Sequence, residues 1–383
     1  MPDVIIVGAG ITGTSIAFHL ATRSSLGVLL VDRAGVAEGG TGRSSALIRM
    51  HYTFPPEVRL ALRSLDMFRR WPELVGRPSS FHRTGFVRLV GPGESERLRR
   101  NVEMQRALGA EVELLTRDRL SELAPAWAVD EVELAAYEAD SGYGDGAVAA
   151  GDLLARAREL GVIYRPSTCV RGLRVHGGRV TGVETDGGPI EASVVVAAAG
   201  PWSPPLLASA GVELPIEPEH HVVAVLGPPS GSPALGPACI DSVTGTYFRP
   251  EGTELALVGD FRGTRGPDPD GFPDRADEDA LLELVERASR RVPAFASSGL
   301  VRAVTGVYDM TPDMRPLLGP VGPDGLYVAV GFSGMGFKIA PAVGLGMAEL
   351  ITGGERSVDL EPFDPQRFER RRPIVADLGY AED

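Results

Sequence analysis

The chain has 383 residues, of which 43% are hydrophobic and 23% are charged, and its formal net charge is −13. This length and composition predict a globular protein of two domains with a large core, and they exclude a disordered chain. The negative charge repels nucleic acid phosphates and anionic membrane surfaces, so neither is an expected partner.

The cysteines and the apolar segments bear on disulfides, metal sites and membrane spans. Cys169 and Cys239 lie far apart and form no C-x-x-C motif, so the sequence indicates neither a disulfide framework nor a zinc site. We expect both thiols to be buried and inert, and we expect no bound metal ion. The first apolar run lacks a positively charged leader, and no segment reaches the roughly eighteen apolar residues of a membrane span. A cytoplasmic location is therefore expected, while the oligomeric state is left open.

The most informative motif lies at the N-terminus. An apolar strand, Val4–Val7, leads into Gly8-x-Gly10-x-x-Gly13 and then into an amphipathic stretch, which is the order of a dinucleotide-binding turn. Gly8 permits the tight turn, Gly10 allows a pyrophosphate to approach the backbone, and Gly13 allows the helix to pack on the strand. The phosphates would face the positive N-terminus of that helix. The alternative is an ordinary strand-turn-helix unit.

A second apolar strand, residues 28–31, ends at Asp32. A carboxylate at this place accepts hydrogen bonds from ribose hydroxyls, whereas the alternative is a surface aspartate. NAD and FAD share the pyrophosphate and the adenosine ribose. The motif therefore predicts an adenine dinucleotide without choosing between the two.

The middle of the chain predicts a change of architecture. Residues 151–161 are predicted to be helical, and residues 177–202 predict a hairpin followed by a buried strand. This strand ends in small residues, which allow a ligand to lie against the backbone. The β-rich stretches 222–226 and 255–258 then suit an antiparallel sheet. A proline-rich loop follows, at residues 262–273.

The last part of the chain returns to the first pattern. A charged helix is predicted over 277–291, and residues 326–338 repeat the order of strand, glycine turn and helix. Two glycine turns on separate parallel strands suit one long cofactor. The helix from about residue 339 to 352 closes this part, and residues 367–372 are expected to be a solvated helix end without function.

Several segments resemble one family when they are taken together and in order. They are the N-terminal fingerprint, residues 44–52 (SSALIRMHY), residues 198–202 (AAGPW), residues 308–313 (YDMTPD) and residues 331–338 (GFSGMGFK). Over nearly its whole length the chain resembles the D-amino acid oxidase superfamily of flavoenzymes, in its branch of sarcosine oxidases and dimethylglycine dehydrogenases.

The resemblance implies FAD and an α/β fold. We expect a glutathione-reductase-like, FAD-binding Rossmann domain over residues 1–81, 142–213 and 318–383, and an α+β substrate domain with an antiparallel sheet over 82–141 and 214–317. The cofactor-binding residues that the matched motifs imply are Gly8, Gly10, Ile11, Thr12, Gly13, Asp32, Arg33, Gly40, Thr41, Arg43, Ser44, Ser45, Val170, Ala199, Gly200, Trp202, Gly331, Ser333, Gly334, Gly336, Phe337 and Lys338.

The resemblance also implies substrate contacts. In sarcosine oxidases an arginine and a lysine at the positions of Arg49 and Lys338 hold the substrate carboxylate, and a guanidinium suits that task because it forks onto two oxygens. Tyr247 matches an active-site tyrosine. From the sequence alone, a surface arginine, a solvated lysine and a core tyrosine are the alternatives.

Three positions depart from the family pattern. Met335 stands where sarcosine oxidases carry a histidine. A polar contact beside the flavin is thereby replaced by an apolar, polarisable one. We therefore expect a bulkier or less polar substrate. Leu257 occupies the position of a lysine that activates dioxygen, which predicts slow reaction with oxygen. Gly306 occupies the position of the cysteine that attaches the flavin covalently, so we expect non-covalent FAD.

The function that follows is oxidation of the C–N bond of an amine or an N-alkyl amino acid with a sarcosine-like carboxylate. Hydride transfer from the α-carbon to flavin N5 gives an imine, which water hydrolyses. One alternative is an FAD enzyme of the same fold that oxidises a 2-hydroxy acid, and another is a flavoprotein subunit of a larger complex. A small-molecule amine or amino acid is the expected partner. The exact substrate and the electron acceptor are left open.

Overall fold

The computed structural model describes residues 1–266, 268–271 and 276–376. Residues 267, 272 and 273 of the predicted proline-rich loop lie outside the described residues. A short strand, Thr264–Arg265, interrupts the described part of that loop and pairs with Glu219 and His220.

The described part of the chain contains both strands and helices. The strands are β1 (Val4–Val7), β2 (Val28–Val31), β3 (Leu47–Ile48), β4 (Phe86–Leu89), β5 (Glu113–Thr116), β6 (Leu134–Glu138), β7 (Gly142–Tyr143), β8 (Ile163–Arg165), β9 (Val170–His176), β10 (Arg179–Thr185), β11 (Gly188–Glu191), β12 (Val194–Ala197), β13 (Glu217–Gly227), β14 (Ala238–Asp241), β15 (Thr246–Glu251), β16 (Leu255–Asp260), β17 (Thr264–Arg265), β18 (Gly299–Met310), β19 (Leu317–Pro320) and β20 (Leu326–Val330). The helices are α1 (Ile11–Arg23), α2 (Pro55–Arg69), α3 (Trp71–Val75), α4 (Ser95–Ala107), α5 (Arg117–Leu123), α6 (Gly146–Glu159), α7 (Ser203–Ala208), α8 (Glu278–Ser289) and α9 (Gly336–Thr352).

The first sheet has the strand order β19-β20-β12-β1-β2-β8 and is parallel except at β19. Its central strand β1 is apolar at every position because both faces are covered. Ile6 faces the side on which α1, α6 and α9 pack, and Ile5 faces β9, β10 and α7. This sheet brings the ends of β1 and β20, and the glycine turns that follow them, to the same edge.

Helices α1 and α9 lie against each other beneath the two glycine turns. A Cβ at Gly344 of α9 would lie 2.1 Å from the Ser15 hydroxyl oxygen of α1, so only glycine allows the helices to come this close. The N-termini of both helices therefore point into one cleft at a fixed separation.

The second sheet has the order β17-β13-β16-β15-β14-β4-β6-β5, and β18 pairs with β13. Its pairs are antiparallel except β4 with β14. Strands from residues 82–141 and from 214–317 meet in this sheet, whose one face is covered by α8. The predicted fold class, a parallel α/β unit with a second unit built on an antiparallel sheet, is confirmed. The proposed domain boundaries remain predictions.

Two local expectations are wrong in part: residues 369–372 are exposed and Cys239 is buried, as expected, but Arg367 and Cys169 differ. Arg367 is 5% exposed, and its guanidinium donates two hydrogen bonds of 2.8 Å to the Asp313 carboxylate, so it is a buried ion-pair partner rather than part of a solvated helix end. Cys239 is buried, but Cys169 is only half-buried and lines the main cleft. Both differences arise from contacts between residues far apart in sequence, which local patterns do not report.

Candidate active site

The first glycine turn has the geometry that the sequence predicts. Gly8 has a φ of +111°, a conformation that favours glycine. A Cβ at Gly13 would lie 1.9 Å from the Gly8 carbonyl oxygen, so Gly13 is required for the turn itself to close. A Cβ at Gly10 would lie 3.0 Å from the Thr41 hydroxyl oxygen, which accepts a hydrogen bond from the Ile11 N–H at 3.0 Å. Gly10 therefore borders the space in front of α1 without closing the turn.

Asp32 is fixed beside this turn. Its Oδ2 accepts a hydrogen bond from the Ala9 N–H at 2.7 Å, and its Oδ1 accepts one from the Ala34 N–H at 2.8 Å. A carboxylate oxygen has two lone pairs, so both oxygens retain acceptor capacity for a ribose hydroxyl. The orientation of Asp32 is thus set before any ligand binds.

The two sheets enclose a cleft of about 470 Å³. Most of the predicted cofactor residues line it, namely Gly8, Gly10, Ile11, Thr12, Asp32, Arg33, Gly40, Thr41, Arg43, Ser44, Val170, Ala199, Gly200, Trp202, Gly334, Gly336 and Phe337. Other predicted residues are outside its lining, namely Gly13, Ser45, Gly331, Ser333, Arg49, Tyr247, Met335 and Lys338. A long ligand fits this shape, with its phosphates at α1 and its other end at α9.

Asp270, His220 and Tyr308 line the cleft and were missed by sequence reasoning, whereas Arg33 was predicted. Arg33 lies 4.5 Å from the centre of the Trp202 ring and donates two hydrogen bonds of 2.7 Å to Asp270, which comes from the loop after β17. His220 and Tyr308 also line the cleft from the second sheet. No sequence signal joins these positions, because they meet only when the two sheets come together.

Asp309 organises the second glycine turn. Its Oδ2 accepts a hydrogen bond from the Gly331 N–H at 2.6 Å, and its backbone oxygen accepts one from the Ser333 N–H at 3.1 Å. Burial raises the pKa of Asp309 to about 6, although the N–H groups of the turn act in the opposite direction. This carboxyl group therefore holds the segment from which α9 begins.

Arg49 follows β3 and turns back onto its own segment. Its Nη1 donates to the His51 carbonyl oxygen, and its guanidinium lies 4.4 Å from the centre of the Tyr52 ring. The peptide N–H between Arg49 and Met50 donates to Glu138 at 2.8 Å, which fixes the backbone. The Arg49 Nε is buried and has no hydrogen-bond partner within the described residues. One donor of this guanidinium is thus left without a hydrogen-bond partner among the described residues.

Lys338 lies in the first turn of α9 and is 8% exposed. Its Nζ donates to the Gly334 carbonyl oxygen at 3.4 Å. Burial holds the pKa of Lys338 well below its usual range, and the charge of Arg49 lowers this pKa further. Within the described residues neither Lys338 nor Arg49 forms an ion pair with a carboxylate. The fold therefore brings two basic groups together without an acidic partner.

Tyr247 and Leu257 belong to an apolar layer on the face of the second sheet that α8 does not cover. Leu257 pairs with Arg249 across the strands, and Arg249 is engaged by Glu251 and by the Ser45 carbonyl oxygen at 2.6 Å. Tyr247 is 5% exposed, and this burial is compatible both with an active-site tyrosine and with a core tyrosine. Met335 is also buried, directly before α9.

The residues of the cleft fit an adenine dinucleotide. A pyrophosphate has space at Gly10, N–H donors at the start of α1, and a carboxylate beside it for the ribose. The start of α9 offers a second helix N-terminus at the far end. Over the described ranges, no cluster of acidic, histidine and cysteine side chains is arranged to hold a metal ion. No helix there is long and apolar enough to span a membrane.

Comparison with known proteins agrees with this geometry. The family model described as "FAD dependent oxidoreductase" (DAO) matches residues 3–350. The chain is 31% identical to bovine FAD-dependent oxidoreductase domain-containing protein 1, over 96% of the chain and 84% of that protein. It is 29% identical to 4-methylaminobutanoate oxidase (formaldehyde-forming) of Paenarthrobacter nicotinovorans, over 95% of the chain but 45% of that protein.

A solved structure extends the comparison to the fold. L-proline dehydrogenase from P. horikoshii superposes with a TM-score of 0.91 at 30% identity, covering 97% of this chain and 99% of that one. The family match covers both sheets and the cleft between them. The chain therefore belongs to the DAO family of FAD-dependent oxidoreductases.

Proposed function

We propose that the protein oxidises the C–N bond of an amine or N-alkyl amino acid whose carboxylate is held by Arg49 and Lys338. The observation that carries this proposal is the pair of basic side chains at the start of α9, neither of which is paired with a carboxylate of the described residues. A substrate carboxylate would supply the acidic partner that these two basic groups lack among the described residues. FAD, when bound, accepts the hydride.

The names of two similar proteins support this substrate class. 4-methylaminobutanoate and L-proline each contain an amine nitrogen and a carboxylate. The two relatives act on chemically different amines, so the comparison favours a class rather than one substrate. A small-molecule amine or amino acid is accordingly the proposed partner, and a cytoplasmic location remains a prediction.

The protein's own groups have separable tasks. Gly10, Thr41 and Asp32 would hold the pyrophosphate and the ribose, and the first N–H groups of α9 favour negative charge at the opposite end of the cleft. The half-buried guanidinium of Arg49 would donate to the substrate carboxylate. Met335 offers the reacting part of the substrate an apolar neighbour. These contacts would orient the substrate and would not remove the hydrogen of its α-carbon.

The experiment that tests the proposal is an anaerobic screen of the FAD-loaded protein. N-methyl, cyclic and primary amino acids are added, and bleaching of the flavin absorption is recorded, with matching 2-hydroxy acids as the comparison. We expect bleaching by at least one amino acid. Bleaching by 2-hydroxy acids alone would show that the protein oxidises 2-hydroxy acids instead of amines.

Non-covalent FAD is a further prediction. Gly306 lies on β18, and the atom nearest to a Cβ placed there is the Arg43 carbonyl oxygen at 3.5 Å, so the position faces the cleft-lining segment without a nucleophilic side chain. Acid precipitation is expected to release all the flavin into the supernatant as FAD. Flavin that stays in the protein pellet would contradict the prediction.

Slow reaction with dioxygen is predicted from Leu257. The neighbouring Arg249 is engaged by Glu251, and Leu257 itself carries no charge that could stabilise developing superoxide. Leu257→Lys is expected to accelerate reoxidation by dioxygen at least about tenfold, with flavin reduction unchanged. The effect will be smaller if burial beside Arg249 lowers the pKa of the new ammonium.

Stopped-flow reoxidation by dioxygen, compared with an artificial acceptor dye, measures this effect. Leu257→Met is the matched control, because it conserves volume and adds no charge. Rapid reoxidation of the unmodified protein, at a rate equal to that of the lysine variant, would rule out a role for position 257.

A further inference from the structure

Lys338 differs chemically from every other cationic side chain of the protein. It is the one lysine in the sequence, and the other members of the 38 Lys and Arg residues are arginine. A guanidinium keeps its proton under all ordinary conditions, whereas an ammonium loses its proton readily when it is buried. A lysine at this position, in a chain that otherwise uses arginine, favours a task that depends on losing a proton.

The surroundings of Lys338 disfavour the charged form. The side chain is buried, its one hydrogen bond to the Gly334 carbonyl oxygen is long at 3.4 Å, and no carboxylate of the described residues pairs with it. The guanidinium of Arg49 adds a like charge nearby. A buried ammonium in this setting loses hydration without gaining a partner. A neutral amine has a lone pair that is available to accept a proton.

The charged groups around Lys338 raise or lower its pKa, and the direction of each effect follows from its charge. Burial is the largest cause that lowers its pKa, Arg49 lowers it further, and Glu57 of α2 raises it. Glu57 is itself paired with Arg315 at 2.9 Å, which weakens its effect. His51 is held neutral at neutral pH, because burial and the adjacent arginines keep its pKa well below the usual range.

The turn beneath Nζ adds two further titratable groups. A Cβ at Gly334 would lie 2.8 Å from the Tyr308 ring, and burial raises the pKa of the Tyr308 hydroxyl, so this residue stays neutral. Asp309 holds the same turn through the Gly331 N–H. Its carboxyl group is tied to backbone donors rather than to Nζ. None of these groups therefore neutralises an ammonium at Lys338.

An amino acid substrate reaches the site as a zwitterion, but its nitrogen must be neutral before the α-carbon can lose a hydride. A carboxylate placed beside Arg49 and Lys338 favours the protonated form of Lys338. In the transfer, an N–H bond of the substrate ammonium breaks and an N–H bond at Nζ forms. No electrons are exchanged, and the nitrogen lone pair of the substrate is released for the oxidation.

We propose that Lys338 is uncharged in the substrate-free enzyme and accepts the proton that the substrate ammonium loses on binding. The proposal rests on the proposed function, because it requires that the substrate carboxylate lies beside Lys338. It extends that function by making one residue both the carboxylate partner and the proton acceptor.

A single lysine makes the charge state directly measurable. FAD-loaded protein labelled biosynthetically with [ε-13C]lysine gives one lysine signal, and a Lys338→Met sample confirms its assignment. Without ligand, the signal is expected to lie at the neutral-amine position at neutral pH and to titrate well below the range of an ordinary lysine. Adding acetate is expected to shift the signal to the ammonium position. An ammonium signal throughout the neutral range without ligand would overturn the proposal.

The source of the proton is tested by calorimetry in two buffers of different ionisation enthalpy. Acetate brings no proton, so its binding is expected to take one from the buffer. 2-Aminoisobutyrate, which has no α-hydrogen and is not oxidised, carries its own ammonium, so its binding is expected to take none. Equal proton uptake with both ligands would overturn the transfer.

The failure of the proposed function is distinguishable from the failure of this inference. If neither acetate nor 2-aminoisobutyrate perturbs the flavin absorption, the carboxylate site is wrong, while the ligand-free signal still decides the charge of Lys338. Lys338→Arg adds a kinetic test, since it keeps the charge but cannot accept a proton. Flavin reduction at neutral pH is expected to fall by a factor on the order of 10² to 10⁴ and to recover at high pH, where the substrate amine is neutral in solution. Reduction by this variant at the unmodified rate would overturn the proposal.

Discussion

We expect Gly10→Val protein to fold and to purify without FAD. A Cβ at Gly10 would lie 3.0 Å from the Thr41 hydroxyl oxygen, and the branched side chain would fill the space in front of the N–H groups of α1. A pyrophosphate needs that space and those donors. Flavin absorption per mole of purified protein measures the effect, and circular dichroism verifies the fold.

Gly10 is the informative glycine of the turn because its neighbours have structural tasks. A Cβ at Gly13 would meet the Gly8 carbonyl oxygen at 1.9 Å, so substitution there would disrupt the turn. Gly151→Val in α6 is the matched control, since no atom lies within 4 Å of a Cβ at that position. Stoichiometric FAD in Gly10→Val protein would show that the cofactor does not approach this turn.

Arg49→Ala and Lys338→Ala are each expected to weaken the binding of carboxylate substrates while FAD is retained. A hydrogen bond to a charged group contributes roughly 1.5–3 kcal/mol, so each substitution should raise Kd by about 10- to 100-fold. Titration of the flavin absorption with acetate, and with any amino acid that bleaches the flavin, measures both effects.

The matched control is Arg97→Ala, which removes an arginine on α4 whose partner is Glu94. Its affinity for carboxylates is expected to equal that of the unmodified protein. Unchanged affinity in both Arg49→Ala and Lys338→Ala would refute the carboxylate site. Loss of FAD from either variant would instead place that residue in the cofactor cleft.

Local sequence patterns were sufficient for the parts of the molecule built from consecutive residues. The apolar run of β1, the turn at Gly8 and Gly13, and the helix after it follow from residue chemistry within one short segment. The second occurrence of strand, glycine turn and helix, which ends in α9, could be predicted for the same reason. The position of Asp32 at the end of β2 needed only the pairing of two adjacent parallel strands.

Contacts between distant segments could not be read in this way. Asp309 fixes the turn at Gly331, and Glu138 fixes the backbone after Arg49, yet nothing near either carboxyl group in the sequence identifies its partner. Asp270 reaches Arg33 from a loop of the other sheet. The pairing of Leu257 with Arg249 likewise depends on the register of two strands.

Nitrogen release during a single anaerobic turnover is the most direct measurement of the proposed chemistry. An amino acid that bleaches the flavin is mixed with the FAD-loaded protein without oxygen, and the amine or ammonia released is quantified against the flavin reduced. For an acyclic amino acid, oxidation of the C–N bond predicts equimolar release of the amine or ammonia together with the matching carbonyl product. For a cyclic amino acid, it predicts one ring-opened amino-carbonyl product for each flavin reduced. Full flavin reduction without these products would contradict it.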